Sequence, residues 1–342
     1  MVRPFQIRDS LKLLRLQQLG APLDIEEQLT QPCPPLRLVL LEKLFTPRAH
    51  PSTFLLDQPT EQGHTLGLAQ VRTRPGQVER DVVFMSPRLD IGNGGYAIWQ
   101  RLLTHICINT AEHGGLRVFA RLPNDSNELN LFKSVGFVEY SQEEIFCRQP
   151  SRVQLSANGG SLPLRPQKSN DSWALQRLYT TLTPHPVQNV EGLGQGRWAL
   201  PRQLWGEPGQ RRGYVWESDG ELLGVVHLRV GKHGCWVRTL VHPDVFDQVE
   251  NLGRTALSLL KPPAYLPIYF SMRQYEAGWL NVLPRLGFES LTSQNLLVKN
   301  MAVRARKTIS TGLPVLKESQ AVGSQSSAVS QQSSEIQPDV PS

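Results

Sequence analysis

The sequence has no run of apolar residues long enough to cross a bilayer. Its opening, Met1 to Asp9, lacks the apolar stretch of a signal peptide. Both absences point to a cytoplasmic protein with no membrane partner. Cysteine is scarce: Cys33, Cys107, Cys147 and Cys235 stand far apart, with no C-x-x-C and no histidine at metal-ligand spacing. A thiol-built metal centre or redox pair is thereby excluded, and free thiols in a reducing compartment are expected. A basic stripe is missing too. The 36 basic and 30 acidic residues are scattered and leave a net charge of +6, with short clusters at Arg211-Arg212 and Arg304 to Lys307. Nucleic-acid binding needs a continuous patch, so none is expected; a mild positive charge suits an anionic ligand. Aromatic residues make up only 7 % of the chain, yet seven are tryptophan. Six of these, Trp173, Trp198, Trp205, Trp216, Trp236 and Trp279, fall in the second half, where core and interface packing is their ordinary use.

What is present divides in two. At 342 residues the chain exceeds a single core. Apolar spacing predicts helices over Ser10 to Gln18, from Asp24 to before Pro32, and over Leu36 to Leu44. Strands follow at Ser52 to Leu56, His64 to Arg72 and Arg80 to Met85, the last two joined by a turn at Gly76. An amphipathic helix, Tyr96 to Glu112, then leads to a strand at Leu116 to Arg121. Helix Ser126 to Ser134, a Gly136-Phe137 turn and a strand around Ile145 complete this half.

The segment 150–162 has linker composition. Beyond it come a strand at Leu162 to Leu164, a helix over Asp171 to Thr181, and a hairpin through Asp219-Gly220. Strand Cys235 to Val241, helix Val245 to Leu260, strand Tyr265 to Met272, helix Ala277 to Leu283, a Gly287-Phe288 turn and strand Asn295 to Val298 follow. Predicted boundaries are therefore 1–149, a linker 150–162, 163–301, and a disordered tail 302–342 whose Ser/Gln-rich stretch cannot bury enough apolar surface to fold.

Both halves end alike. The interval from Val118 to Gly136 is 18 residues, and that from Tyr269 to Gly287 is also 18. A mid-hairpin strand, Gly67 to Val71 or Gly224 to Leu228, precedes each. A shared order of elements at near-equal spacing marks a duplication.

With Asn124 to Phe137 and its copy ending at Leu286-Gly287-Phe288, this order resembles the GNAT (Gcn5-related N-acetyltransferase) fold, twice in tandem. The resemblance implies an α/β class with a mixed sheet. It also implies acetyl-CoA as co-substrate, its pyrophosphate gripped by backbone amides that open a helix after an R/Q-x-x-G-x-G/A loop. In the first half the corresponding residues are Gly92, Asn93, Gly94, Gly95 and Tyr96, with Leu89 where the family has Arg or Gln. The family's asparagine and tyrosine, eleven and four residues before the glycine of Gly-Phe, fall on Asp125 and Phe132, with Asn124 adjacent to the former. Phe132 cannot donate a proton, and Tyr96 and Tyr140 are the substitutes at hand. The second half has His242-Pro243-Asp244 and no glycine pair, and Glu276 and Leu283 at the two family positions, so it is expected to be a copy that binds no cofactor. Glu79, Asp81, Glu217 and His227 are strand residues available as a general base.

Two functions compete. One is acyl transfer from acetyl-CoA to a small-molecule or peptide amine, through positioning and carbonyl polarisation. The other is a non-catalytic tandem scaffold that binds a metabolite or a protein.

Overall fold

In the computed structural model, the described residues are 1–45, 52–60, 63–74, 78–90, 94–124, 126–150, 161–192, 198, 200, 210–260 and 265–301. They belong to one compact unit, Met1–Val303; the expected tail and most of the linker lie outside them.

The first half contains β1 (Val2–Pro4), α1 (Ser10–Leu19), β2 (Ala21–Pro22), α2 (Ile25–Thr30) and α3 (Pro35–Phe45). It continues with β3 (Thr53–Thr60), β4 (Gly63–Thr73), β5 (Arg80–Ser86), α4 (Gly95–Glu112), β6 (Arg117–Pro123), α5 (Asn127–Ser134) and β7 (Val138–Arg148). The second half has β8 (Leu164–Pro166), α6 (Ser172–Leu182), α7 (His185–Glu191), β9 (Gln210–Ser218), β10 (Glu221–Val230), β11 (Cys235–Val241), α8 (Val249–Leu260), β12 (Ile268–Arg273) and β13 (Glu289–Asn300).

The strands form one sheet in the order β1-β3-β4-β5-β6-β13-β7-β12-β11-β10-β9-β8, with β2 beside β5. Read from either edge the succession is the same: three antiparallel strands, a fourth, a parallel fifth, then a terminal strand. That terminal strand comes from the other half. β13 lies against β6, β7 lies against β12, and the two pair with each other at the centre. Each half thus supplies one long strand that completes its neighbour's sheet.

The duplication extends to side chains. Arg3 donates to both Asp9 carboxylate oxygens at 2.6 and 2.7 Å, and Arg165 does the same to Asp171 at 2.9 and 2.9 Å. Both pairs sit in an Arg-Pro-x-x-x-x-Asp-Ser sequence, Arg3 to Ser10 and Arg165 to Ser172. The Gly-Phe pairs are matching helix ends. Gly136 and Gly287 take positive φ, +94° and +79°. The Phe137 amide reaches back to the Phe132 carbonyl at 3.0 Å, and the Phe288 amide to Leu283 at 3.0 Å. Glycine accepts the left-handed turn, and the buried phenylalanine after it anchors the chain to the core.

Alternate residues of each strand face opposite layers. Leu68, Leu55 and Phe84 pack under α1 and α3, whereas Ala69, Phe54 and Met85 pack under α4. In the second half Val225 and Leu240 face α6, while Val226 and Val237 face α8. Helix α4 holds closest: Trp99, Leu102, Leu103 and Ile106 are fully buried, each contributing about 1.5–3 kcal/mol. A Cβ on Gly67 would fall 2.3 Å from Ile98 Cγ2, so glycine there lets the helix approach the sheet.

Two expectations need correcting. The predicted helix Ala277 to Leu283 is replaced by 3-10 turns, Ala277–Trp279 and Pro284–Leu286, because Gly278 and Pro284 weaken a longer α-helix. The predicted start of helix Val245 to Leu260 is likewise a 3-10 turn, Pro243–Gln248, with α8 following it.

Candidate functional site

β5 and β6 are parallel neighbours but pair only at Arg80 with Val118 and at Asp81 with Phe119. Beyond those residues the strands part, and a wedge opens at their carboxyl ends, the side of a parallel sheet where ligands usually sit. Helix α4 starts beside this opening. Gly94 takes φ +140° with open space around its Cβ position, so backbone conformation alone demands glycine. Gly95 is buried, and a Cβ there would meet Leu89 Cα at 3.3 Å. The first helical bond runs from the Ile98 amide to the Gly94 carbonyl at 3.1 Å. The amides of Gly95, Tyr96 and Ala97 precede it, and among the described residues nothing accepts from them; no side chain caps the turn. An 18-residue helix places the positive end of its dipole here.

Of the six positions expected to hold the cofactor, Gly94, Gly95, Tyr96 and Asn124 are described; Gly92 and Asn93 lie outside the described residues, as does Asp125. Asn124 follows β6 and so stands at the same end of the wedge. Its Nδ2 donates to Ser293 Oγ at 2.7 Å, while its buried Oδ1 has no hydrogen-bond partner among the described residues. The Tyr96 hydroxyl is spent on Ser134 Oγ at 2.9 Å and the Tyr140 hydroxyl on Glu191 at 3.0 Å. Phe132 is fully buried against Trp99 and Phe137.

Across the sheet from α4 lies a cavity of about 390 Å³, lined by Gln17, Gly20, Asp24, Glu27, Cys33 and Gln70 among others. Asp24 caps α2 by accepting from the Glu27 amide at 3.2 Å. Arg72 bonds both carboxylates, Asp24 at 2.7 Å and Glu27 more closely. Burial opposes ionisation of Asp24, but Arg72 and Arg121 outweigh it and hold the group down to about 2. Burial raises Glu27 above the ordinary carboxylate range despite Arg72. Asp24, Glu27 and their arginine were not among the sequence candidates; the acidic Asp-Ile-Glu-Glu run at a helix start was the available signal.

Of the general-base candidates, Glu79 lies just before β5 rather than in a strand, and the other three are engaged elsewhere. Asp81 takes two bonds from Arg74, at 2.9 and 2.7 Å, and Glu217 one from Arg165 at 2.7 Å. His227 bonds Gln167 at 2.8 Å and packs against Trp198 with the rings tilted by 55°. Burial, with Arg238 and Arg211 nearby, depresses His227 to about 3.

In the second half the turn before α8 carries its own cap: His242 Nδ1 accepts from the Asp244 amide at 3.3 Å. The β11–β12 pair parts after Arg238 and Ser271. Gly253 lies within α8, where a Cβ would fall 2.5 Å from Leu286. Among the described residues no cluster of His, Cys, Asp and Glu is arranged to hold a metal, and no helix is long and apolar enough to cross a membrane.

No protein-family model matches the sequence. No curated protein matches it either. Solved structures do. A GCN5-related N-acetyltransferase from Sphaerobacter thermophilus superposes with a TM-score of 0.53 at 13 % identity, over 88 % of this chain and 95 % of that one. A tandem GNAT protein from the clavulanic acid biosynthesis pathway superposes with a TM-score of 0.50 at 16 % identity, over 88 % and 98 % respectively. Such identities speak for the fold alone. Arranged about the central β7–β13 pair, the chain carries the mixed α/β GNAT fold twice in tandem.

Proposed function

We propose that the chain is an N-acyltransferase that moves an acyl group from acetyl-CoA to the amine of a small molecule or peptide, acting in the cytoplasm. The observation that carries this reading is that, among the described residues, nothing claims the amides of Gly95, Tyr96 and Ala97 at the mouth of the β5–β6 wedge. Three N–H groups and a helix dipole suit a diphosphate, and the missing side chain at Gly94 leaves the approach clear. The cofactor supplies an activated thioester. The chain's own part is to hold it along the wedge, turn its carbonyl toward donors and exclude water.

The cavity beside α2 is the place for the acceptor. Asp24 and Glu27 give it carboxylates that attract an ammonium group, and the raised pKa of Glu27 suits it to take the proton that must leave before the nitrogen attacks. Phe132 supplies no acid, so the departing thiolate draws its proton from water or from the acceptor's own proton.

A scaffold function is favoured by two observations, the burial of Phe132 and the side-chain cap on the turn before α8. One experiment separates the readings. The full chain is incubated with acetyl-CoA and a panel of primary amines, and free thiol is followed. Amine-dependent thiol release supports the transferase; no release with any amine, and no binding of acetyl-CoA, leaves the scaffold.

A further inference from the structure

The second half also has a strand opening, and its lining differs in kind from the first. β11 and β12 part after Arg238 and Ser271, which are cross-strand neighbours, and Arg273 lies two residues further along β12 on the same face. Arg273 faces Glu143 of β7, which in turn faces Gln294 of β13. Arg121 lies on this face too, opposite Leu296. The sheet thus gathers Arg121, Arg238 and Arg273 around Glu143, with Glu191 and Glu276 at the margin.

The hydrogen bonds do not balance. Arg273 is 3 % exposed; its Nη2 donates to Glu191 Oε1 at 3.4 Å and its Nε stands 3.6 Å from Glu143 Oε1, yet among the described residues Nε and Nη1 have no hydrogen-bond partner. Ser271 Oγ, 2 % exposed, and Ser141 Oγ, 7 % exposed, are likewise unpartnered among the described residues. Among the described residues Arg121 and Arg238 make no ion pair at all; Arg238 lies over the Trp198 ring, 4.6 Å from its centroid. Glu143 is occupied by Gln294 Nε2 at 2.6 Å, and Glu191 by the hydroxyls of Tyr179 at 2.8 Å and Tyr140 at 3.0 Å.

Unpaired buried charge is costly, and an unmet buried donor forfeits about 1–3 kcal/mol. Three guanidinium groups here face the carboxylates of Glu143 and Glu191; against burial, Arg273, Arg121 and Arg238 hold Glu143 below its ordinary range. The third carboxylate, Glu276, is held up near neutrality, to about 7, by burial. A planar acid with two oxygens matches the guanidinium fork.

We propose that the opening between β11 and β12 is a second binding site, for a small monocarboxylate seated on Arg273, Ser271 and Arg238. It is separate from the acyl-CoA reading: it uses other residues, in the other half of the chain.

The test is calorimetric titration and thermal unfolding of the full chain with acetate, pyruvate and benzoate, and with inorganic phosphate as the comparison. At least one carboxylate is expected to bind saturably and raise the unfolding temperature. Ser271→Ala and Arg238→Met are each expected to weaken that binding by about tenfold or more. Arg238→Met without ligand is expected to be about as stable as the parent, since it removes a half-buried charge that among the described residues has no ion-pair partner. Acetyl-CoA titrated into the same variant reads the first half independently. No response to any of the three acids overturns the proposal, as does phosphate binding more tightly than all of them. Carboxylate binding unchanged in both variants also overturns it.

Discussion

Glu143, near the end of the first half, stands directly across an antiparallel ladder from Arg273 of the second, with 3.6 Å between Glu143 Oε1 and Arg273 Nε. The pairing exists because β7 runs beside β12 rather than β6. Neither half therefore completes its own sheet. Residues 1–150 and 161–342 produced separately are expected to aggregate or unfold without cooperativity, and to recover a cooperative transition as a 1:1 complex on mixing. Size-exclusion chromatography with circular dichroism checks this. A monomeric, cooperatively melting 1–150 fragment contradicts it.

Glu276 gives a pH signature. Its carboxyl accepts from the Arg273 amide at 2.8 Å, but burial raises its pKa from 4.5 to about 7, against Arg238 and Arg273 and with Glu143 adding to the rise. A raised folded value means that this group's contribution is complete below pH 4.5 and lost as pH climbs through 7. Glu276→Gln keeps the acceptor and removes the titration. Its stability relative to the parent is expected to rise between pH 4.5 and pH 8, by on the order of 3 kcal/mol. Urea melts at a series of pH values measure the difference; a flat difference contradicts the assignment.

The turn between β10 and β11 docks on the end of α2. The His233 amide donates to the Thr30 carbonyl at 2.9 Å, and a Cβ on Gly231 would fall 2.2 Å from that same oxygen. Gly231→Val is expected to destabilise the chain by about 2–4 kcal/mol, as overpacking against rigid backbone does. Denaturant midpoints check this.

Phe132→Tyr adds a hydroxyl to a side chain that is fully buried against the Trp99 and Phe137 rings. A loss of about 1–3 kcal/mol is expected from burying an unmet hydroxyl, with no gain in transfer rate. A rate increase would place Phe132 at the reacting atoms.

Much of this architecture was legible in the chain. Helix α4 follows from its apolar face, the Asp219-Gly220 hairpin from its turn residues, and both Gly-Phe ends from an equal interval of 18 residues. The Arg-Pro-x-x-x-x-Asp-Ser repeat was equally legible, and its meaning, a guanidinium fastening the first strand to the first helix, needs coordinates to see. Strand exchange was not legible, because local sequence does not say which of two similar strands a neighbour will choose. The arginine cluster was hidden for a related reason. Arg121, Arg238 and Arg273 lie on three strands, and only the register places them on one face. The short 277–286 segment misled because its apolar spacing suits a helix, while Gly278 and Pro284 break it.

The central functional claim is that the open amides after Gly94 grip the cofactor, and calorimetric titration of acetyl-CoA into three forms of the full chain tests it most directly. The parent is expected to bind. Gly94→Ala carries the same backbone strain without charge and is expected to retain most of that affinity, while Gly94→Glu, which sets a carboxylate beside the amides, is expected to lose it. Equal binding by Gly94→Glu and Gly94→Ala, both folded, would contradict the claim, as would a parent protein that gives no heat at all.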